Sequence, residues 1–570
     1  MSDDGTPLID ADIVARFATG TLIDVLCLER HADRPDSCRN RAVALHNRGQ
    51  IDLLRLTTTP GFVALGGTDF FSVQRVFCDA IPYLEAPLIA MMAAVERLAE
   101  KGGRDGAAGF PYNAFKLWLD KDLARARAVV AAADAGEEVN QQFIAIALEA
   151  LGDNVLAERV VGQYNDGRRL AGLSALGRIK PAGEAEAKAT LDILLPLCGG
   201  SFDEDTRFAA ISAAFGVLKN FGALHGTVVP QLIAAVTHTP TEFTRFALVQ
   251  ALWLHDKVFD ARSVKATLDV ARGGDFSKKG LVDTLDGALQ QLFGTMHRDL
   301  ALDFLTDVLA IEDGLLALNK LDSVKHRLAA SSRDQLFALA VRWFLTGNKQ
   351  LCEAMAEILS QSDRAAPFDA SMKGLGLTGS QQVVVCHKAL AYLLLRPVIS
   401  ASMVVAALRA GDSGVRDNLI QLLVYPILIN FQGEARDYLR SIKKDDAACG
   451  AVRKALKQGD AYVIGAQIKT PIKELWPSDY RRNLAAMKLH DQGREISKMA
   501  ERQSIFFNLA HRSTLLYGRK ALTYVGGPDK PPVMMELKPM SFGLDMPRLN
   551  TIDPVGLDYM MRVFRVSKPK

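Results

Sequence analysis

Three residues near the end of the chain, Asp529, Glu536 and Lys538 in GGPDKPPVMMELKP (526–539), are of the types needed to cleave a phosphodiester with a metal ion. In such chemistry two carboxylates hold a divalent cation and a lysine stands beside the attacking water, all carried on one sheet. The spacing argues against it. Six residues separate Asp529 from Glu536, and two of them, Pro531 and Pro532, favour a loop and deny the donors of a strand ladder. Glu536 and Lys538, two apart, share one strand face, which an exposed salt-bridged hairpin also produces.

A second set of residues could do recognition instead of catalysis. YRRNLAAMKLHDQGREISKMAERQSIFFNLAHRSTLLYGRK (480–520) reads as a basic helical stretch. Arg494, Lys498 and Arg502 recur four apart on one helical face, with Arg512, Arg519 and Lys520 beyond them. Ile496, Met499, Phe506, Leu509 and Leu516 suggest an apolar face. These six cations are the candidate partner-binding residues, suited to an acidic protein or to nucleic acid. No catalytic, metal-ligating or cofactor-binding residue is expected. The seven cysteines contain no Cys-x-x-Cys pair, and Cys386-His387 points two adjacent ligands about 100° apart on a helix. The histidines form no His-x-x-x-His, and there is no Gly-x-Ser-x-Gly elbow.

The elements that must position these residues are helices in a repeat. RLAGLSALG from Arg169, RFAAISAAF from Arg207 and RFALVQALW from Arg245 align without gaps at intervals of 38 residues. Apolar residues at offsets 1, 4 and 8, with small residues at 2 and 6, define a packed face that a neighbouring helix can approach closely. Partner helices are expected at AKATLDILLPLC (187–198), TVVPQLIAAV (227–236) and ARSVKATLDVA (261–271). A helix pair of this length cannot bury its face alone and must stack on its neighbours. The pattern resembles HEAT-type repeats, on the acid-x-x-Arg-apolar-Ala opening of NDGRRLAGLSALGRI and DEDTRFAAISAAFGVL, and is clear over roughly residues 160–275. The resemblance implies a right-handed α-solenoid. Arg169, Arg207 and Arg245 would form a ladder able to grip phosphates, as on some HEAT-like DNA glycosylases. An acid three residues before each (Asp166, Glu204, Glu242) instead predicts an ion pair that fixes the stacking.

The predicted fold class is mainly α, a HEAT-like solenoid with a short C-terminal β-hairpin and extended tail. An irregular helical cap is expected over 1–110, the solenoid over 111–450, a basic helical region over 451–521 and a Met-rich hairpin and tail over 522–570. The hairpin joins ALTYV to VMMELKPMSF, and Asp553-Pro554 caps a last helix, PVGLDYMMRVFRV. That tail is expected to pack on another surface, either on the solenoid or on a partner. The most apolar stretch, LIQLLVYPILINF (419–431), is too short for a membrane span and is broken by Pro426. Scattered cysteines and an acidic N-terminus without a signal pattern suggest a bacterial-looking cytoplasmic protein.

Net charge is +3 over 570 residues, but residues 451–570 carry 21 basic against 11 acidic side chains, a net of +10 that leaves −7 for residues 1–450. The expected function is a non-catalytic scaffold or adaptor for a protein partner. The alternative is a nucleic-acid-binding HEAT-like protein, and a minor one is a metal-dependent nuclease with a degenerate PD-(D/E)xK-like site.

Overall fold

The computed structural model describes residues 8–28, 37–103, 109–311, 316–360, 366–467, 477–503, 510–515, 520–525, 533–536 and 547–569. It is mainly helical, as a fold of stacked helical repeats requires. Two compact units divide it, Met1–Leu305 and Thr306–Lys570.

In the first unit the repeat helices Gln141–Leu151, Gly167–Leu176, Glu204–Leu218, Glu242–Leu254 and Lys279–Leu292 lie side by side in one layer. Leu123–Asp134, Asn154–Gln163, Glu184–Leu197, His225–His238 and Ala261–Ala271 pair with them from a second layer. Each of the three aligned repeat helices starts at a side-chain cap. Asp166 accepts from the Arg168 N–H, Asp203 from Thr206 and Thr241 from Thr244, each satisfying one of the free donors at a helix start. Small residues bring successive helices close, Ala213 at an expected offset and Gly177 and Gly216 at offsets the pattern did not single out. A Cβ on Gly177 would stand 2.9 Å from the Ala213 Cα, and one on Gly216 would collide with the Gly177 carbonyl, so successive helices touch backbone to backbone. The apolar column stacks as well, with the Phe208 and Phe246 rings 6.0 Å apart.

The arginine column behaves otherwise than expected. Only Arg245 pairs with its predicted acid, Glu242, at 2.8 Å. Arg169 donates to the Val161 carbonyl, and Asp166 pairs with Arg168 instead. Arg207 is 3% exposed and donates to the carbonyls of Cys198 and Thr239, the C-caps of Glu184–Leu197 and His225–His238. Its cation sits between the negative ends of two helix dipoles, where carbonyls lack intrahelical donors.

The second unit repeats the two-layer plan at uneven intervals. Arg333–Thr346, Gly379–Tyr392, Arg416–Leu422 and Cys449–Gln467 follow one another in one layer, with Lys349–Ser360, Pro397–Ala410 and Glu434–Ser441 in the other. The apolar stretch at 419–431 runs from Arg416–Leu422 into a wider turn, Leu423–Leu428, around Pro426, and is largely buried. Among the described residues no helix is long and apolar enough to cross a membrane.

Beyond the stacked pairs comes a 25-residue helix, Asp479–Gln503, and then three antiparallel strands in the order Ala510–Leu515, Lys520–Val525, Val533–Glu536. The helix predicted through residue 520 is therefore replaced by strand from Ala510. Ser513, Thr514 and Leu515 pair with Thr523, Leu522 and Ala521, and a paired strand satisfies the backbone that an isolated helical turn would leave to water.

Candidate partner-binding surface

The six predicted cations do not form one helical face. Arg494 and Lys498 lie exposed on Asp479–Gln503. Arg502 is on the same helix, its side chain outside the described residues. Arg512 stands on the first strand opposite Tyr524, and Lys520 opens the second strand opposite Glu536. Arg519 lies outside the described residues, as do Phe506, Leu509 and Leu516.

The helix itself is unusual in its surroundings. None of its described side chains is buried. Tyr480 is 75% exposed, Leu484 41% and Met487 64%. At 100° per residue these three lie on one face, and Asp491, Arg494 and Lys498 continue that face toward the C-terminus. A stripe apolar in its first turns and basic in its last is thus open to solvent over about 30 Å, at 1.5 Å per residue. Water alone seldom supports such a helix, because helical stability comes chiefly from a packed face.

The phosphodiesterase constellation is not assembled by the described residues. Glu536 ends the third strand in register with Lys520, while Asp529 and Lys538 lie outside the described residues. Among the described residues no group of three or more His, Cys, Asp or Glu side chains is arranged to hold a metal ion. Cys386 is fully buried, with its thiol against the Met403 carbonyl, and burial pushes its pKa upward.

The sequence left open where the tail goes. Asp553 caps helix Pro554–Val566 by accepting from the Gly556 N–H, and that helix packs on Gly379–Tyr392 through Leu557, Met561 and Phe564. The Phe564 ring stacks on His387 at 4.3 Å and 7°. His387 Nδ1 shares a 3.0 Å hydrogen bond with Ser567 Oγ. Lys388, 1% exposed, donates through Nζ to the Arg565 carbonyl at the end of the helix, and the Arg565 guanidinium lies over the Tyr392 ring. Burial and the neighbouring Lys388 charge hold His387 down to about 4. Burial also lowers the Lys388 pKa. Upstream, the Leu549 N–H donates to Asn430 Oδ1 at 2.9 Å, and Asn430 Nδ2 donates to the Pro426 carbonyl. The signal that could have found this is the i, i+4, i+7 spacing of Leu557, Met561 and Phe564.

No protein-family model matches the chain, and comparison with curated proteins gives no match.

Proposed function

We propose that this chain is a non-catalytic adaptor, a right-handed α-solenoid of HEAT-like pairs that holds an acidic protein partner on helix Asp479–Gln503. The observation that carries the reading is the exposure of Tyr480, Leu484 and Met487 in line with Arg494 and Lys498. A helix of this kind suits a groove with an apolar floor and an acidic end. Nucleic acid fits less well, because phosphates give Leu484 and Met487 nothing to pack on. The arginine column that would have gripped a backbone is bonded internally.

A photo-crosslinking amino acid at Leu484 in the full-length protein, expressed in its native host, tests this. One acidic protein is expected in the crosslink. Arg494→Glu with Lys498→Glu should weaken the complex about 10-fold or more, as reversal at an opposite-charge contact does. Crosslinks to DNA or RNA, with steep salt dependence that falls when Arg512, Arg519 and Lys520 are neutralised, would establish the other reading and reject this one. Crosslinks confined to the chain itself would also reject it.

A further inference from the structure

The seat of the terminal helix gathers cations around one hydroxyl. Ser567 is the C-cap of helix Pro554–Val566, half-buried, on extended backbone at φ −56° and ψ 134°. Its Oγ shares the 3.0 Å hydrogen bond with His387 Nδ1, and Lys388, 1% exposed, is the next residue on the docking helix. Lys568 follows Ser567 and acts on Lys388, and the Arg565 guanidinium stands 5.4 Å from the centre of the Tyr392 ring. The acids nearby are engaged elsewhere. Glu353 acts on Tyr392 from helix Lys349–Ser360 but reaches Lys349 at 3.8 Å, and Asp558 is paired with Arg562 at 2.9 Å. Lys388 donates to the Arg565 carbonyl, and among the described residues no ion pair includes Lys388, Arg565 or Lys568. A buried ammonium met only by the partial charge of a helix end is short of a counter-ion.

We propose that Ser567 is a phosphorylation site whose phosphate, received by His387, Lys388 and Lys568, locks the terminal helix onto Gly379–Tyr392. A protein kinase supplies the group from a nucleoside triphosphate. The bond from the γ-phosphorus to its bridging oxygen breaks, a bond from that phosphorus to Ser567 Oγ forms, the hydroxyl proton passes to the kinase's base and the diphosphate leaves. Arg565 and Lys568 flank the hydroxyl with charge that an acidic substrate cleft would read. Helix ends fray at little cost, which presents Ser567 before the helix itself leaves. The phosphate brings nearly two negative charges and three acceptor oxygens to a place that holds only cations, and His387 Nδ1 can then donate to it. At a helix C-terminus it opposes the dipole, which shifts an equilibrium by about 5-fold or less, whereas one charge-assisted hydrogen bond shifts it by about 10-fold or more. The cations therefore decide the sign.

Full-length protein with phosphoserine genetically encoded at position 567, compared with the unmodified chain by hydrogen-exchange mass spectrometry on the peptide covering 554–566, tests the lock. At pH 7 the open fraction should fall about 10-fold or more. Lys568→Glu, at an exposed position, should act with opposite signs on the two forms. It relieves Lys388 of a like charge in the unmodified chain and tightens the contact, and it sets a carboxylate against the phosphate in the modified chain and loosens it. Extract of the native host with a γ-labelled nucleoside triphosphate should label the full-length chain, and Ser567→Ala should remove most of the label. Protection that phosphoserine leaves unchanged or lowers would overturn the proposal. So would Lys568→Glu acting with one sign on both forms, or a label that Ser567→Ala does not diminish, or no label at all.

Discussion

Acidification should detach the C-terminal helix from its seat, through His387. Docked, this imidazole is covered by the Phe564 ring and neighbours Lys388, and is held down to about 4. Released, it returns to the ordinary value near 6.5. The docked state therefore binds fewer protons. Its stability is complete above pH 6.5 and falls as pH drops from 6.5 toward 4. At pH 5 the loss is 1.5 units at 1.36 kcal/mol each, about 2 kcal/mol or roughly a 30-fold rise in the open fraction. Cation–π attraction to Phe564 would return up to ~1 kcal/mol and bring the rise to about 5-fold. Of the other charges around this contact, Lys388, Arg565 and Lys568 are basic and Glu353, which acts on Tyr392 beside Arg565, is acidic, while the shift of His387 itself comes from burial and Lys388. Hydrogen-exchange mass spectrometry on the peptide covering 554–566, corrected for intrinsic exchange, should show lower protection at pH 5 than at pH 7. His387→Gln should remove the difference. Equal protection at both pH values, or a loss that persists in His387→Gln, would refute the assignment.

Three further outcomes follow from the packing. Arg207→Met should destabilise the first unit by about 2–4 kcal/mol in urea unfolding, since it leaves the Cys198 and Thr239 carbonyls without their buried donor. Arg207→Lys should recover less than half of that, because a single ammonium cannot reach both helix ends. Gly216→Ala should cost about 1–3 kcal/mol by forcing apart two helices in backbone contact, whereas Gly465→Ala, on a helix with open space around it, should raise stability by up to ~1 kcal/mol; calorimetry on the two variants separates these signs. Asn430→Ala should increase exchange at the peptide containing Leu549, because one side chain joins the Leu549 N–H to the Pro426 carbonyl.

What could be read from the sequence was what is local or periodic. The 38-residue repetition placed the helices around Arg169, Arg207 and Arg245, and Asp553-Pro554 marked the start of the terminal helix correctly. The partners of the arginines were not legible, because the carbonyls at a helix end carry no residue-type signature while a nearby acid does. The strand at Ala510–Leu515 was missed since its conformation is decided by Lys520–Val525 beside it and not by its own composition. The landing site of the tail lay about 180 residues upstream, on a helix whose repeat spacing is uneven. In the candidate surface, the face shared by Arg494 and Lys498 could be counted off at helical spacing, but the exposure of Leu484 and Met487 could not.

The setting of Arg207 also separates charge that counts toward the total from charge that can make a contact. Its guanidinium contributes to the formal +3, yet it is sealed from solvent and its field is met by two helix ends. Arg169 and Arg245 face carbonyl and carboxylate in the same way. Residues 1–450 keep their formal −7, but these three cations spend their donors inside the protein. A polyanion therefore meets net negative charge over residues 1–450 and net positive charge over 451–570. Charge of this asymmetry steers an encounter toward one end of the chain before any contact forms.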